Sequence, residues 1–403
     1  MRNLGTVIAR GLCIVGLVAI TACSPIQIGS RIIDFGGSGG DGFAAQPGAA
    51  LAPAGPVQSF GRGPVQVALL LPLTGEVAAV GQSLANASRL AIGFIEANPN
   101  IAENITINLR DTGSSVAGAT TAASAAVAAG ARLILGPLKA EQVRAVGAVA
   151  RASGVPVIGF SNNPVAAGPG VYLLSVLPEM EMRRALGWVK AQGRRGIAGI
   201  FPANDYGQLQ QAAFRQQASL ARLSPQGVYT FSSAGEAQQI VNQVLPLVRS
   251  GAIDTLFLPD RVTAPQFGAL LGQAGLAPGQ LQIVGSADWA GDPAIAASRA
   301  LNGAIFPAVD PAGMMAISAD YQRQFGGRPH ALATIAYTAT ILANVSTLSK
   351  ANPPYNPILL TSPQGFNGRD GVFRFLGNGR AEYALVIKRV SAGSAQVVEA
   401  SRL

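Results

Sequence analysis

The chain is poor in the residues from which most catalytic sites are assembled. Of 403 residues one is histidine, His330, and two are cysteines, Cys13 and Cys23. That count excludes zinc sites of the Cys and His type. Any Ser-His-Asp or Cys-His arrangement would have to pass through His330, which sits in GGRPHALA and reads as an exposed entrance to a helix. From residue 64 onward no G-x-S-x-G occurs, and nowhere does G-x-x-x-x-G-K-[ST], so the folded part offers neither a nucleophile elbow nor a phosphate-cradling P-loop. Charge is scarce too: Asp, Glu, Lys and Arg make up 12% of the chain, with a formal net charge of +9. The basic residues are scattered, so no nucleic-acid face is legible. Glu76, Asp111, Asp205 and Asp288 all fall at strand ends or loops, and nothing in the sequence brings two of them together. What the chain has in quantity is apolar surface, 49% of residues, enough for two or three domains of this length.

The first 22 residues carry Arg2 and Arg10 ahead of the apolar run GLCIVGLVAI (11–20). That run is too short for a membrane-crossing helix, which needs about 20 apolar residues. It reads as a secretory signal, residues 1–22. ITAC (20–23) resembles the lipobox of bacterial lipoproteins, in which the cysteine becomes the lipidated N-terminus. The resemblance implies a thioether lipid on Cys23, and Ser24 in the next position implies sorting to the outer membrane, facing the periplasm. Cleavage would remove Arg2, Arg10 and Cys13 and lower the net charge from +9 to +7. A single cysteine then remains, and no disulfide within one chain is possible.

Residues 23–63 change character. GGSGGDG (36–42) and AQPGAALAPAGPVQ (45–58) have no apolar period and gain too little from burial to offset the entropy of ordering. They read as a tether of about 40 residues, with a reach of roughly 130 Å when extended. Gly37, Gly39 and Gly42 match G-x-G-x-x-G, but no strand precedes them and no helix follows.

From Val65 strand and helix patterns alternate. The apolar runs VQVALLL (65–71), ITINLRD (105–111), RLIL (132–135) and VPVIGF (155–160) read as strands. Helical stretches at 81–97, 116–129 and 140–152 separate them. A second series follows helix 179–192: strands 196–201, 228–231, 254–259 and 282–285, with helices 207–222, 236–249 and 265–274 between. GAIF (303–306), helices 314–325 and 331–349, VFRF (372–375) and YALVIKRV (383–390) complete the chain. Two such series predict an α/β protein of two lobes, each a mostly parallel sheet flanked by helices. The late strands predict that the chain crosses back, giving a first lobe of 64–177 plus 307–379 and a second of 178–306 plus 380–403.

VALLLPLTGEVAAVGQSLANASRLAI (67–92), LRDTGS (109–114), LGPL (135–138), GVPVIGFSNNP (154–164) and NDYG (204–207) resemble the type 1 periplasmic-binding-protein fold, over nearly all of the chain from residue 64. Two families share that fold. One is the branched-chain amino-acid binding proteins of ABC importers. The other is the penicillin-binding-protein activators, outer-membrane lipoproteins that stimulate peptidoglycan synthases. Both imply a protein without catalytic residues or cofactor.

The importer resemblance implies a ligand in the cleft between lobes. Its amino-acid binders place a hydroxyl after the strand matching 132–135, and this chain has Ala140 there. Ser161 and Asn162 match the contacts to a ligand carboxylate, Tyr206 a cleft wall, and Asp288 the region of the acid that meets the ammonium. Val80 stands where these binders carry an aromatic. Each residue has a plain alternative as a turn, cap or packing residue. The activator resemblance rests on the turn Gly136, Pro137, Leu138 and Lys139, with Val143 following, and on LLLPLTG (69–75). It implies a peptidoglycan synthase as partner. Activators of the enterobacterial pattern carry a helical-repeat domain before this fold, where this chain has only the tether.

Overall fold

The computed structural model describes residues 57–276, 279–391 and 393–403. The signal segment, Cys23, Ser24 and the tether to residue 56 lie outside the described residues.

The first lobe is built on β1 (Gln58–Phe60), β2 (Val65–Leu71), β3 (Ile105–Asp111), β4 (Leu133–Leu135), β5 (Val157–Gly159) and β6 (Val171–Leu173). They lie in the order β1-β3-β2-β4-β5-β6, with β2 to β6 parallel and β1 antiparallel at the edge. Val67, Leu69, Leu70 and Leu71 of β2 are all buried, without alternation, because helices cover both faces of a parallel sheet. The crossovers are α1 (Ala78–Glu96), α2 (Val116–Ala128) and α3 (Ala140–Ala152). Helix α3 buries Val143, Val146, Gly147 and Ala150, the i, i+3, i+4, i+7 stripe of an amphipathic helix.

The second lobe begins with α4 (Pro178–Ala191), then β7 (Gly196–Pro202), α5 (Asp205–Ala221), β8 (Ser224–Phe231), α6 (Ala237–Arg249), β9 (Thr255–Phe257), α7 (Ala264–Gln273), β10 (Gln282–Val284), α8 (Pro293–Ala297) and β11 (Ile305–Ala308). Phe201, Phe214 and Phe257 meet at ring distances of 5.5–6.2 Å on one face of this sheet. Each such burial contributes about 1.5–3 kcal/mol. Trp289 and Phe306 pack on the other face.

The chain then returns to the first lobe with α9 (Pro311–Phe325), α10 (Ala333–Asn344), α11 (Ser346–Ser349) and α12 (Pro357–Leu360). Tyr321 and the His330 backbone N–H both donate to Ser83 of α1, and Thr340 donates to Ser88. A small sheet of β12 (Phe366–Gly368), β13 (Gly371–Phe375) and β14 (Ala381–Tyr383) follows, joined to β6 by the Leu173 N–H on the Gly379 carbonyl. Finally β15 (Leu385–Ser391) and β16 (Ser394–Arg402) form a hairpin on the edge of the second sheet, whose order is β16-β15-β11-β10-β9-β7-β8.

Several boundaries differ from the sequence reading. Residues 58–60, placed in the tether, pair with β3. The crossings fall after β11 and at Ala384, not at 306/307 and 379/380, because β11 runs to Ala308 and β14 pairs with β13. YALVIKRV is therefore two strands in two sheets. The helix expected at 331–349 breaks at Val345, where the backbone is extended. There the Asn104 side chain donates to the Asn344 carbonyl and the Asn344 side chain accepts the Asn104 N–H, which gives the helix end its partners.

Candidate functional site

The segments that follow β5 and β7 bring Asn162 of the first lobe against Tyr206 of the second, at the carboxyl ends of parallel strands, where ligands of open α/β sheets sit. On the first lobe the GPLK turn joins β4 to α3. Gly136, Pro137 and Leu138 are buried, and the Phe160 N–H donates to the Pro137 carbonyl. Lys139 occupies the N-cap position with an extended backbone and no side-chain cap. Ala140 begins the helix and is 7% exposed. Gln142 ties the helix start to the loop after β3 by donating to the Gly113 and Ser115 carbonyls. Val80 is buried in α1. Ala140, which the sequence resemblance matches to a hydroxyl position of amino-acid binders, is an enclosed methyl group.

Ser161 follows β5 and is 1% exposed; its hydroxyl oxygen accepts the Asn163 N–H. That is the turn-forming role of a serine after a strand. Asn163 itself accepts the Val165 N–H and caps a short 3-10 turn. Asn162, between them, is half-buried and lies against Tyr206 of the second lobe.

Asn204 caps α5 by accepting the Gly207 N–H, and this sets Tyr206 in the first turn of the helix. The Tyr206 hydroxyl is enclosed and lies near the Asn162 side chain, outside full hydrogen-bond geometry. Its pKa stands well above the ordinary tyrosine range. Burial is the main cause, then the charges of Asp288 and Glu181, with Asn162 acting the other way. Asp288 sits in a 3-10 turn after β10 and is not the cap of that turn, since Ser286 precedes it at the N-cap position. It is open to water, yet protein surrounds it, as in a crevice. Its pKa is raised by desolvation and by Asp260, against the opposing charge of Arg261.

The residue that completes this group is Glu181, which the sequence reading did not single out. It lies in the first turn of α4 and is 2% exposed. The Ala287 N–H donates to it at 3.2 Å. No cation pairs with it among the described residues, whereas Glu179, one turn-edge away, is held by Arg380 at 3.1 Å. Burial pushes the Glu181 carboxyl well above the usual carboxylate range, and the charge of Asp288 pushes it further. An unpaired carboxylate is costly in such a place, so burial makes the group harder to ionise. The structure therefore gathers Asn162, Tyr206 and Asp288 and adds Glu181, while Ala140 offers no polar group and Ser161 is enclosed with its oxygen accepting the Asn163 N–H.

The other candidates have structural work. Asp111 accepts N–H groups of Leu73, Thr74 and Gly113 and the Thr74 hydroxyl, clamping two loops. Burial opposes its charge, but those bonds outweigh it and lower its pKa. Glu76 and Asp205 are exposed just before α1 and at the start of α5. His330 is half-buried rather than exposed; its Nδ1 accepts the Leu332 N–H ahead of α10, and burial and the Arg261 charge lower its pKa. No group of three or more His, Cys, Asp or Glu among the described residues is placed to hold a metal ion.

Comparison with known proteins agrees with this architecture. A family profile described as "Periplasmic binding protein" matches residues 64–360. A search of curated proteins finds no match to the chain. Among solved structures, a putative branched-chain amino acid ABC transporter protein from Rhodospirillum rubrum is 21% identical, with a TM-score of 0.70 over 83% of this chain and 99% of that one. A leucine-binding protein from Thermotoga maritima is 20% identical, with a TM-score of 0.57 over 84% and 98%. The C-domain of LpoA from Haemophilus influenzae, described as a regulator of PBP1A, is 18% identical, with a TM-score of 0.63 over 83% and 99%. At these identities the likeness is one of fold: mixed α/β, with two sheets flanked by helices.

Proposed function

Because the chain belongs to the periplasmic binding protein family, whose members are non-enzymatic binding proteins, we propose that it acts through a protein partner, as an outer-membrane lipoprotein that activates or scaffolds peptidoglycan synthases. Ala140 carries this reading. A zwitterionic ligand needs an anion anchor as well as an acid, because either charge left unpaired in a dry cleft costs several kcal/mol. Here the anchor position is a methyl group, Ser161 is enclosed, and the charge of Asp288 disfavours a second carboxylate. The GPLK turn and the lipobox support the same reading, as does the likeness of fold to a domain described as a regulator of PBP1A.

Titration calorimetry of the full chain with leucine, isoleucine, valine and their amides tests it. We expect no binding tighter than about 1 mM, which corresponds to roughly −4 kcal/mol. Micromolar binding of any of them sinks the proposal. In a reconstituted assay the full chain is expected to raise the glycan-polymerising or cross-linking rate of a purified bifunctional synthase.

One observation favours a second reading, a substrate-binding lipoprotein of an ABC importer. Among the described residues no cation pairs with Glu181, which lies beside Asp288 and Tyr206, and an ammonium group would complete it. That reading requires a measurable amine ligand whose affinity Asp288→Ala abolishes.

A further inference from the structure

A cavity of about 260 Å³ opens on the first lobe and shares no residue with the cleft. Its floor is Leu342 of α10 and Phe373 of β13, both buried. Its rim carries Phe94 in the last turn of α1, Val345 and Phe366. Phe94 is 43% exposed, which leaves its ring open at the rim of the hollow.

The one charged residue of this lining is Arg369. Its guanidinium lies 4.9 Å over the Tyr337 ring and 6.0 Å from that of Phe94. It donates to the Tyr337 hydroxyl, and its backbone N–H donates to Thr338. No carboxylate pairs with it among the described residues. A guanidinium has five N–H donors in a fixed fork; stacking on rings holds that fork, and the bond to Tyr337 uses one donor of the five. The site is also preformed: a Cβ on Gly368 would come within 2.6 Å of Thr338, so the β12–β13 turn sits hard against α10.

Size separates two kinds of occupant. Small-molecule pockets run to about 300–1,000 Å³. This cavity is smaller than that range and suits one anchoring side chain of the kind that dominates protein interfaces. We propose that it is a docking point for a peptide segment of a partner protein, which seats one large aromatic or branched side chain on Leu342 and Phe373 and sets a carboxylate against Arg369. The proposal rests on the scaffold reading above and gives it a surface.

The test uses the full chain and two probes, a purified bifunctional peptidoglycan synthase and the dipeptide N-acetyl-phenylalanyl-aspartate amide. Wild type is expected to bind the synthase, with Arg369→Glu and Val345→Trp each weakening it by about tenfold or more. Arg369→Lys, which keeps the charge and loses the fork, should fall between. Melting temperatures within about 2 °C of wild type confirm folding. The dipeptide should shift the methyl resonances of Ile341, Leu342 and Val345, and its asparagine counterpart should do so far more weakly. If wild type binds the synthase and both variants bind it equally well, the docking surface is wrong and the scaffold reading survives. If wild type does not bind the synthase, the scaffold reading falls and the dipeptide decides: shifts abolished by Arg369→Glu keep the groove, and no shifts overturn it. Free N-acetyl-phenylalanine binding more tightly than the dipeptide would make the occupant a small acid and overturn the proposal.

Discussion

Alanine in place of Gly136 lowers the stability of the chain by roughly 4 kcal/mol. Two costs add. Gly136 has φ +82°, where an L side chain costs about 1–2 kcal/mol. The new Cβ would also stand 2.2 Å from the Leu70 carbonyl oxygen, which belongs to the central strand β2. Overpacking against so fixed a neighbour costs typically about 1–3 kcal/mol. Neither side can yield easily, because the Gly136 N–H donates to Ile158 at 2.8 Å and Leu138 is buried just beyond. A loss of that size removes a large share of the 5–15 kcal/mol that typically holds a domain folded. Urea unfolding should show a lower midpoint at unchanged slope. Gly154, at the other end of α3, is the control: φ is +66°, but a Cβ there meets nothing within 4 Å. Its alanine variant should lose only about 1 kcal/mol. Equal losses at both positions would mean that strain alone acts, and that the turn is not wedged against β2.

The alternation of apolar strands with amphipathic helices made the two-lobed α/β architecture legible, because both signals are local. Helix α3 was readable to the residue, and β2 and β3 as well, since long regular elements carry their own periodicity. Pairing is not local. The three residues of β1 look like tether, and only their hydrogen bonds to β3 make them a strand. YALVIKRV is one apolar run by composition, yet the Ala384 N–H bonds to Val372 in one lobe while Leu385 begins a strand of the other. Nothing in the run marks that handover. β16, with its pattern of mostly exposed residues in SAQVVEASR, offers no buried face to detect.

The site shows the same limit. Ala140, Asn162 and Tyr206 could be named because a family resemblance matched them to positions after strands, Ala140 as the place of a missing hydroxyl. Glu181 could not. In PEMEMRR it reads as a first-turn acid favoured by the helix dipole, which is an adequate explanation by itself. Its burial, and its meeting with Asp288 more than a hundred residues later, exist only after two elements pack.

Glu181→Gln should make the chain more stable at neutral pH and leave it unchanged in acid. The sign follows from the raised native pKa of this carboxyl. Below the ordinary value of 4.5, folded and unfolded chains both hold the proton, and the group gives no slope. Above it the unfolded chain releases the proton while the native chain retains it. The unfolded state then binds fewer protons, so stability falls as pH rises, until the pH passes the native pKa. Each unit in that window costs about 1.4 kcal/mol. Glutamine cannot ionise, nearly matches the volume, and still accepts the Ala287 N–H. Across that window the variant should be the more stable of the two, read as a higher melting temperature than wild type at neutral pH. Asp288→Asn should gain less, since that side chain reaches water. If Glu181→Gln instead destabilised the chain at pH 8, Glu181 would be ionised in the native state and matched by a cation. The same measurement bears on function. An ammonium ligand would pair with ionised Glu181 and flatten the wild-type pH slope, while the glutamine variant would not respond. A cleft that takes no amino acid keeps its slope in millimolar leucine, because nothing enters to relieve the acid pair.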